Sequence, residues 1–271
     1  MGKKDKHRQD PQARTLAEQA DRHLLYEMSV QCPEVDIALY NRVFKSLRGR
    51  APVSVREDFC GTAYFSTEWC RRYPERTAIG VDLDPEVLAW ARDHNLAGQP
   101  DSVRKRIKLL QQNVLEVTTP KVDVVSVMNF SFWVWKTRAE LERYCRVIHQ
   151  TLGKEGVAFL EIYGGTEAMM VAKDKRKVDD FTYMWEQAEF NPITHETRCH
   201  IHFRFTDGSK LKRAVTSDWR LWTIPEVREC LYAAGFKTVD CYWLDVDTDR
   251  YHKSEREEQQ LAFLAYLAAA K

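Results

Sequence analysis

Two segments of the chain hold residues whose order suits ligand chemistry. The first reads Val-Arg-Glu-Asp-Phe-Cys-Gly-Thr-Ala, residues 55–63. A strand-like stretch ends there in a carboxylate, Glu57, and passes into a tight turn around Gly61, where a glycine lets the backbone approach a ligand closely. The second reads Gly80-Val-Asp82-Leu-Asp84. A carboxylate roughly 20 residues beyond such a turn is the usual acceptor for two ribose hydroxyls. The pair suits a nucleoside. It does not suit a dinucleotide, because the G-x-G-x-x-G run is absent and bulky Phe59 stands where a pyrophosphate needs room. No G-x-x-x-x-G-K-[ST] phosphate loop is present either. Each residue also has a plainer reading. Asp82 could merely lead the next helix, but Asp84, followed by Pro85 and Glu86, already fills that cap position, so ribose binding is preferred. Glu57 could pair with a cation such as Arg56; a ligand-facing role is preferred. Cys60 could be a nucleophile, but a thiol in a tight turn more often fills buried space, and the inert reading is preferred.

Other candidates lie further on. Asn129-Phe-Ser-Phe132 reads as a substrate-facing loop at the end of an apolar strand. Trp133, Trp135, Tyr163, Trp185, Trp219 and Trp222 could offer ring faces to an apolar or cationic substrate, although aromatic residues fill cores everywhere. His200, His202 and Arg204 alternate along one strand face. No third ligand accompanies the two histidines, so they are read as exposed hairpin residues and no metal is expected.

The elements that must position these residues follow from periodicity. Leu16, Ala20, Leu24 and Met28 recur at helical spacing, and after Pro33 so do Val35, Leu39, Val43 and Leu47, closed by Gly49. Strands are expected at Val53–Asp58, Thr77–Leu83, Ile107–Gln111, Val122–Met128 and Val157–Tyr163. Helices are expected at Ala63–Tyr73, from Pro85 to about His94, and from the Thr137/Glu140 capping box to Gly153. This alternation implies a mainly parallel, twisted sheet with helices on both faces, whose ligands bind beyond the carboxyl ends of the strands. Beyond Tyr163 the pattern changes. Residues 168–192 read as an irregular or helical insertion, and 200–205 and 210–215 flank Asp207-Gly208 as a β-hairpin. A second capping box, Thr223/Glu226, opens a helix ending at Gly235. Lys237–Leu244 reads as a strand and Glu255–Ala270 as a terminal helix.

Composition narrows the class. The 271 residues are 44% hydrophobic and carry a net charge of +1, so a substantial core is expected and nonspecific nucleic-acid binding is not. The basic clusters Arg104–Lys108 and Lys173–Lys177 are balanced elsewhere by acids. No apolar run reaches membrane-spanning length, and the polar first residues resemble no signal peptide. Seven scattered cysteines without a C-x-x-C pair point to a reduced, cytoplasmic compartment.

In these motifs and their order the chain resembles the class I S-adenosylmethionine-dependent methyltransferases. Their first motif runs acid-x-Gly-x-Gly-x-Gly; Glu57 stands at the acid and Gly61 at the central glycine, with Phe59 and Ala63 replacing the other two. Gly80-Val-Asp-Leu-Asp resembles the second motif. Gln112-Asn113-Val114 stands where an aspartate near the adenine is usual. Val122–Asn129 resembles strand four, Thr151–Gly156 the loop before strand five, and Trp222–Glu226 with Ala233–Phe236 the helix before the last hairpin. The resemblance spans Val53–Leu244. It implies a Rossmann-like α/β fold with an N-terminal helical lid and a β-hairpin insertion after strand five. It also implies S-adenosylmethionine as cofactor, held by Glu57, Phe59, Cys60, Gly61, Thr62, Asp82, Leu83, Asn113, Val114 and Asn129, with Phe59 packed over its methionine end. A small-molecule acceptor is expected near Tyr26, Gln31, Asn129 and Tyr163. The corresponding division is a flexible tail (1–14), a lid (15–50), a cofactor-binding core (51–165), an insertion (166–222) through which oligomers could form, and a C-terminal remainder of the core with a terminal helix (223–271). Two other readings stay open: methylation of RNA or protein, and a regulatory module that binds the cofactor without transfer.

Overall fold

The apolar stretches pair side by side as the alternation demands. The computed structural model describes residues 14–248 and 250–271. In it β1 (Ser54–Asp58), β2 (Thr77–Asp82), β3 (Ile107–Gln111), β4 (Val122–Val127) and β5 (Leu152–Gly164) run parallel. With β10 (Thr238–Asp245), β11 (Arg250–Ser254) and β12 (Phe263–Ala270), all joined antiparallel, they form one eight-stranded sheet in the order β11-β10-β12-β5-β4-β1-β2-β3.

The helix punctuation operates as read. Asp84 caps α5 (Pro85–Ala91) by accepting from the amides of Glu86 and Val87. Both capping boxes form, at α7 (Arg138–Thr151) and α8 (Ile224–Ala233). Gly49, left-handed at φ 71°, closes α3 (Pro33–Arg48). One face of the sheet is covered by α3 and α4 (Tyr64–Arg72), burying Tyr40, Phe44, Phe65, Trp69 and Phe159; the other is covered by α7 and α8, burying Leu141, Tyr144, Ile148 and Leu231.

Three expectations are corrected. Residues 255–270 contain no helix: 263–270 are β12, between β5 and β10. Alanine favours helices in isolation, but here both backbone edges are paired and both faces buried, where small side chains fit beneath helices. Residues 168–192 are not helical either; β6 (Ala172–Val178) and β7 (Phe181–Phe190) join β8 (Glu196–Phe205) and β9 (Lys210–Arg220) in a second, antiparallel four-stranded sheet. The expected hairpin about Asp207-Gly208 is the β8–β9 half of that sheet. The lysine run that obscured β6 lies on an edge strand, where charge is tolerated and blocks further pairing. Finally, the first N-terminal helix is two, α1 (Leu16–Gln19) and α2 (Arg22–Val30), and its supposed apolar face is wrong, since Leu16, Leu24 and Met28 are exposed while Leu25 is buried.

Leu25 packs with Phe181, Tyr183, Ile201 and Phe203 of the second sheet, each fully buried apolar side chain contributing about 1.5–3 kcal/mol. The Asp207-Gly208 turn receives the start of α1: the Leu16 amide donates to Asp207 Oδ2 (2.9 Å) and the Ala17 amide to Ser209 Oγ (3.1 Å). The insertion and the first helices therefore form one layer. The expected tail at residues 1–14 falls almost wholly outside the described residues.

Candidate functional site

The turn from β1 into α4 is left-handed at three alternate residues: Phe59 (φ 56°), Gly61 (50°) and Ala63 (53°). These are the three positions of the expected glycine pattern. The backbone is left-handed at all three although only one is glycine, at a cost of about 1–2 kcal/mol for each non-glycine residue. Hydrogen bonds hold the turn. The Cys60 amide donates to the Val81 carbonyl (3.0 Å), the Ala63 amide to the Cys60 carbonyl (2.8 Å), and the Gly61 amide to Asp82 Oδ2 (2.8 Å). Asp82 Oδ1 accepts from the Asp84 amide (3.0 Å). The carboxylate thus bridges the carboxyl ends of β1 and β2 and still has acceptor capacity beyond these two bonds. Exposed Leu83 stands beside it.

The other expected residues divide. Glu57 does not pair with Arg56. Arg56 instead bonds Asp58 (2.7 Å) in the core, where Tyr144 also donates to Asp58 (2.8 Å). Glu57 Oε2 accepts from the Ser66 amide (3.0 Å) and hydroxyl (2.5 Å), so it caps the α4 side of the turn from beneath. Burial pushes its carboxyl up to about 8, helped by the charges of Asp82 and Asp58, while the Ser66 bonds pull the other way. Cys60 is buried against Ala63, Leu88, Ala91 and Leu109. A Cβ on Gly80 would lie 2.9 Å from its Sγ, so Gly80 lets the turn press onto β2. Burial first, then the charge of Glu57, hold this thiol well above the usual range, as the inert reading expects. Thr62 is buried, and its carbonyl accepts from Asn95 (2.9 Å). The Asn113 side-chain oxygen accepts from the Leu115 amide (2.9 Å), which orients its NH2 group as a donor. Val114 lies in the core, so only its main chain could meet a ligand. Phe59 packs against Tyr144 (5.9 Å between ring centroids) and Trp135 (6.4 Å), toward the α7 face.

Among the residues expected near an acceptor, Asn129 (φ 51°) and Phe130 (φ 56°) end β4 in a second left-handed turn, and the Asn129 amide donates to Glu161 Oε2 on β5 (2.6 Å). Tyr163 lies 5.7 Å from Phe130. Tyr26 lies within reach of Glu161 and Tyr183, whose charges reinforce the burial that raises its phenol. Gln31 ends α2, its Oε1 buried and without a hydrogen-bond partner among the described residues. The tryptophans serve mainly as packing: Trp219 meets Phe130 and Trp133 edge-on and lies tilted beside Trp185, joining the second sheet to the β4 turn. The two histidines are not exposed. His200 bonds Thr216 (2.9 Å), and His202 bonds Glu186 (2.8 Å). Among the described residues no three His, Cys, Asp or Glu side chains are grouped to hold a metal.

Sequence reasoning missed the fastening of α2 across the crevice. Trp90 Nε1 donates to Asp21 (2.6 Å), and Asn95 Nδ2 donates to Glu27 (2.7 Å) as well as to Thr62. Only tertiary contact reveals these pairs. It also missed Asp36 and Glu161, although a lone acid inside the apolar run Val157–Tyr163 was a signal. A half-open cavity of about 580 Å³ lies over β10, β12 and α8, lined by Trp222, Trp243 and Phe263; of the expected site it shares only Tyr163.

The geometry agrees with what known proteins show. Residues 57–156 match the family model described as a methyltransferase domain. Over that segment the chain is similar to a methyltransferase domain. Solved structures share its fold over nearly the whole length. An S-adenosylmethionine-dependent methyltransferase from Clostridium acetobutylicum is 16% identical with a TM-score of 0.64, covering 92% of this chain and 96% of that one. An amino pentose methyltransferase from Micromonospora echinaspora, solved with S-adenosylmethionine bound, is 18% identical with a TM-score of 0.62, covering 90% and 95%. A sugar N-methyltransferase from Streptoalloteichus is 17% identical with a TM-score of 0.60, covering 97% and 98%. No curated protein matches the chain in sequence. The cofactor of such a domain is S-adenosylmethionine, and the crevice passes a test of fit. Asp82 stands at the end of β2 with acceptor capacity to spare, and the space beside Gly61 where a side chain would project is open.

Proposed function

We propose that this methyltransferase domain transfers the methyl group of S-adenosylmethionine to a small acceptor enclosed between α2, the ends of β4 and β5, and the second sheet. The observation that carries the reading is the Asp82–Gly61 bond, which places a carboxylate with open acceptor sites beside a left-handed turn where parallel strands end. When bound, the cofactor supplies a methyl group already activated by a sulfonium. Asp82 would accept the ribose hydroxyls, Leu83 would pack on the adenine, Asn113 would donate to its edge, and Glu57, Phe59, Cys60, Gly61, Thr62, Val114 and Asn129 would shape the turn around the rest. The chain's part is alignment and exclusion of water. The bonds from Trp90 and Asn95 to α2 support a lid over the crevice, and residues 15–50 are read as that lid, 51–165 as the cofactor core and 166–222 as the acceptor-side insertion. The likeness to an amino pentose methyltransferase and a sugar N-methyltransferase favours a small acceptor.

Methylation of RNA is disfavoured by how the basic clusters are used. Arg106 donates to the carbonyls of Cys70, Tyr73, Arg76 and Ser102, Arg104 pairs with Asp101, and Lys173 pairs with Glu186. No described helix is long and apolar enough to cross a membrane. A cytoplasmic location and pairing of copies through edge strand β9 complete the proposal; six buried cysteine thiols fit a reducing compartment. The test is a screen of metabolite fractions with methyl-labelled cofactor. Label in a small product is expected; label confined to RNA or protein, or no label, would overturn the reading.

A further inference from the structure

Glu161 and Asp36 are two acids that the cofactor crevice does not use. Glu161 lies on β5, opposite Tyr266 in the β5–β12 register and beside the β4 turn through the Asn129 amide. Asp36 lies in the first turn of α3 and accepts from that same Tyr266 hydroxyl (2.9 Å). Tyr40, stacked on Phe159 (4.1 Å), bonds Ser126 (2.8 Å) on β4. Polar groups from α3, β4, β5 and β12 therefore form one strip at the carboxyl ends of the strands, cut into an otherwise apolar interface. Neither carboxylate forms an ion pair among the described residues. The charged and titratable groups that reach them are the acids Glu34 and Glu57 and the phenols of Tyr26, Tyr40 and Tyr266, none of them a cation. Two half-buried carboxylates without a cation are costly, and a charge in this situation is normally compensated or neutralised. A second feature points the same way. At the α2–α3 corner, five residues before Asp36, the buried Oε1 of Gln31 is a further acceptor without a donor.

We infer that the acceptor is a primary or secondary amine, bound as its ammonium ion by Glu161 and Asp36, and that Glu161 removes the proton that frees its lone pair. This rests on the methyltransferase reading. The proton count closes. The ammonium gives one proton to Glu161, and its freed nitrogen pair forms the new N–C bond. The S–C pair stays on sulfur, the product leaves as an N-methylammonium, and Glu161 returns its proton to water. Burial, opposed only by the Asn129 amide, pushes the Glu161 carboxyl up to about 7, which suits a group that must both take and release a proton near neutrality. An alcohol would gain nothing from a second carboxylate beside the first.

The test uses the whole chain loaded with S-adenosylhomocysteine. Matched probes are titrated: benzylamine against benzyl alcohol, cyclohexylamine against cyclohexanol, glucosamine against glucose. The expectation is at least about tenfold tighter binding of the amines to the wild-type chain. Glu161→Gln, nearly isosteric and checked by melting, should erase that preference while cofactor affinity stays within about twofold. Amine binding should rise as pH passes through about 7. In Asp36→Asn the preference for amines should weaken several-fold, because one of the two carboxylates that face the ammonium is gone. Equal affinity for amines and alcohols, a preference that survives Glu161→Gln, or labelled methyl on oxygen would each overturn the amine assignment while leaving methyl transfer standing. Failure of the wild-type chain to bind S-adenosylhomocysteine at all would instead remove the methyltransferase reading on which it rests.

Discussion

Replacing Asp82 by alanine removes three things at once, and the structure separates them. It deletes the acceptor of the Gly61 amide (2.8 Å) and that of the Asp84 amide (3.0 Å). The Asp84 amide lies at an exposed bond and can turn to water, at a cost of a few tenths of a kcal/mol. The Gly61 amide is half-buried, and leaving it unmatched costs about 1–2 kcal/mol. That bond also helps to fix a turn with Phe59, Gly61 and Ala63 all left-handed, so its loss lets the strained residues relax away from the binding geometry. The third loss is the charge-assisted pair to the ribose, worth about 1–3 kcal/mol. The expected result is S-adenosylhomocysteine binding weakened by about 10- to 150-fold in calorimetry, with global stability lowered by no more than about 2 kcal/mol. Asp82→Asn keeps one acceptor oxygen and should fall between. An Asp82→Ala chain that is folded and binds within twofold of wild type would refute both the ribose assignment and the role given to the turn.

Four further single substitutions test other contacts. Cys60→Ala should leave methyl transfer within about threefold of wild type, and Gly80→Ala should cost about 1–3 kcal/mol of stability by overpacking Cys60 and Leu109; the double variant should recover part of that loss in denaturant titrations, and strict additivity would contradict the contact. Glu57 has a folded pKa raised to about 8 against an ordinary 4.5, so between these pH values the folded state holds a proton that the unfolded state has released. The free chain should therefore lose stability as pH rises through that window, by up to about 1.4 kcal/mol per pH unit for this group. Glu57→Gln should flatten the slope in melts across pH, and an unchanged slope would reject the buried, protonated state. Asn95→Ala removes donors to Glu27 and to the Thr62 carbonyl; it should speed release of S-adenosylhomocysteine several-fold in stopped-flow and raise hydrogen exchange over residues 22–30, and an unaltered release rate would argue against α2 as a lid.

The sequence by itself determined the parallel half of the sheet, the punctuation of its helices and the turn that joins β1 to α4. These rest on local causes: apolar runs of strand length, Asp84 before Pro85, two Thr-x-x-Glu boxes, a turn around Gly61, and an acid where β2 ends. Each is written within a few residues, so spacing sufficed. What only the tertiary structure decided depends on neighbours distant in the chain. Residues 263–270 are alanine-rich and read locally as helix, yet β5 and β10 offer backbone partners on both sides, and that pairing overrides propensity. The charged run at 173–177 becomes a strand only because β7 lies beside it. The face of α2 that is buried is the one the second sheet covers, not the one its periodicity suggested. The two carboxylates where α3 meets β5 show the same dependence most fully. Asp36 and Glu161 are 125 positions apart in the sequence. They become a pair because α3 crosses the end of β5 and one tyrosine of β12 stands between them. No window of sequence holds that juxtaposition, since packing rather than propensity creates it.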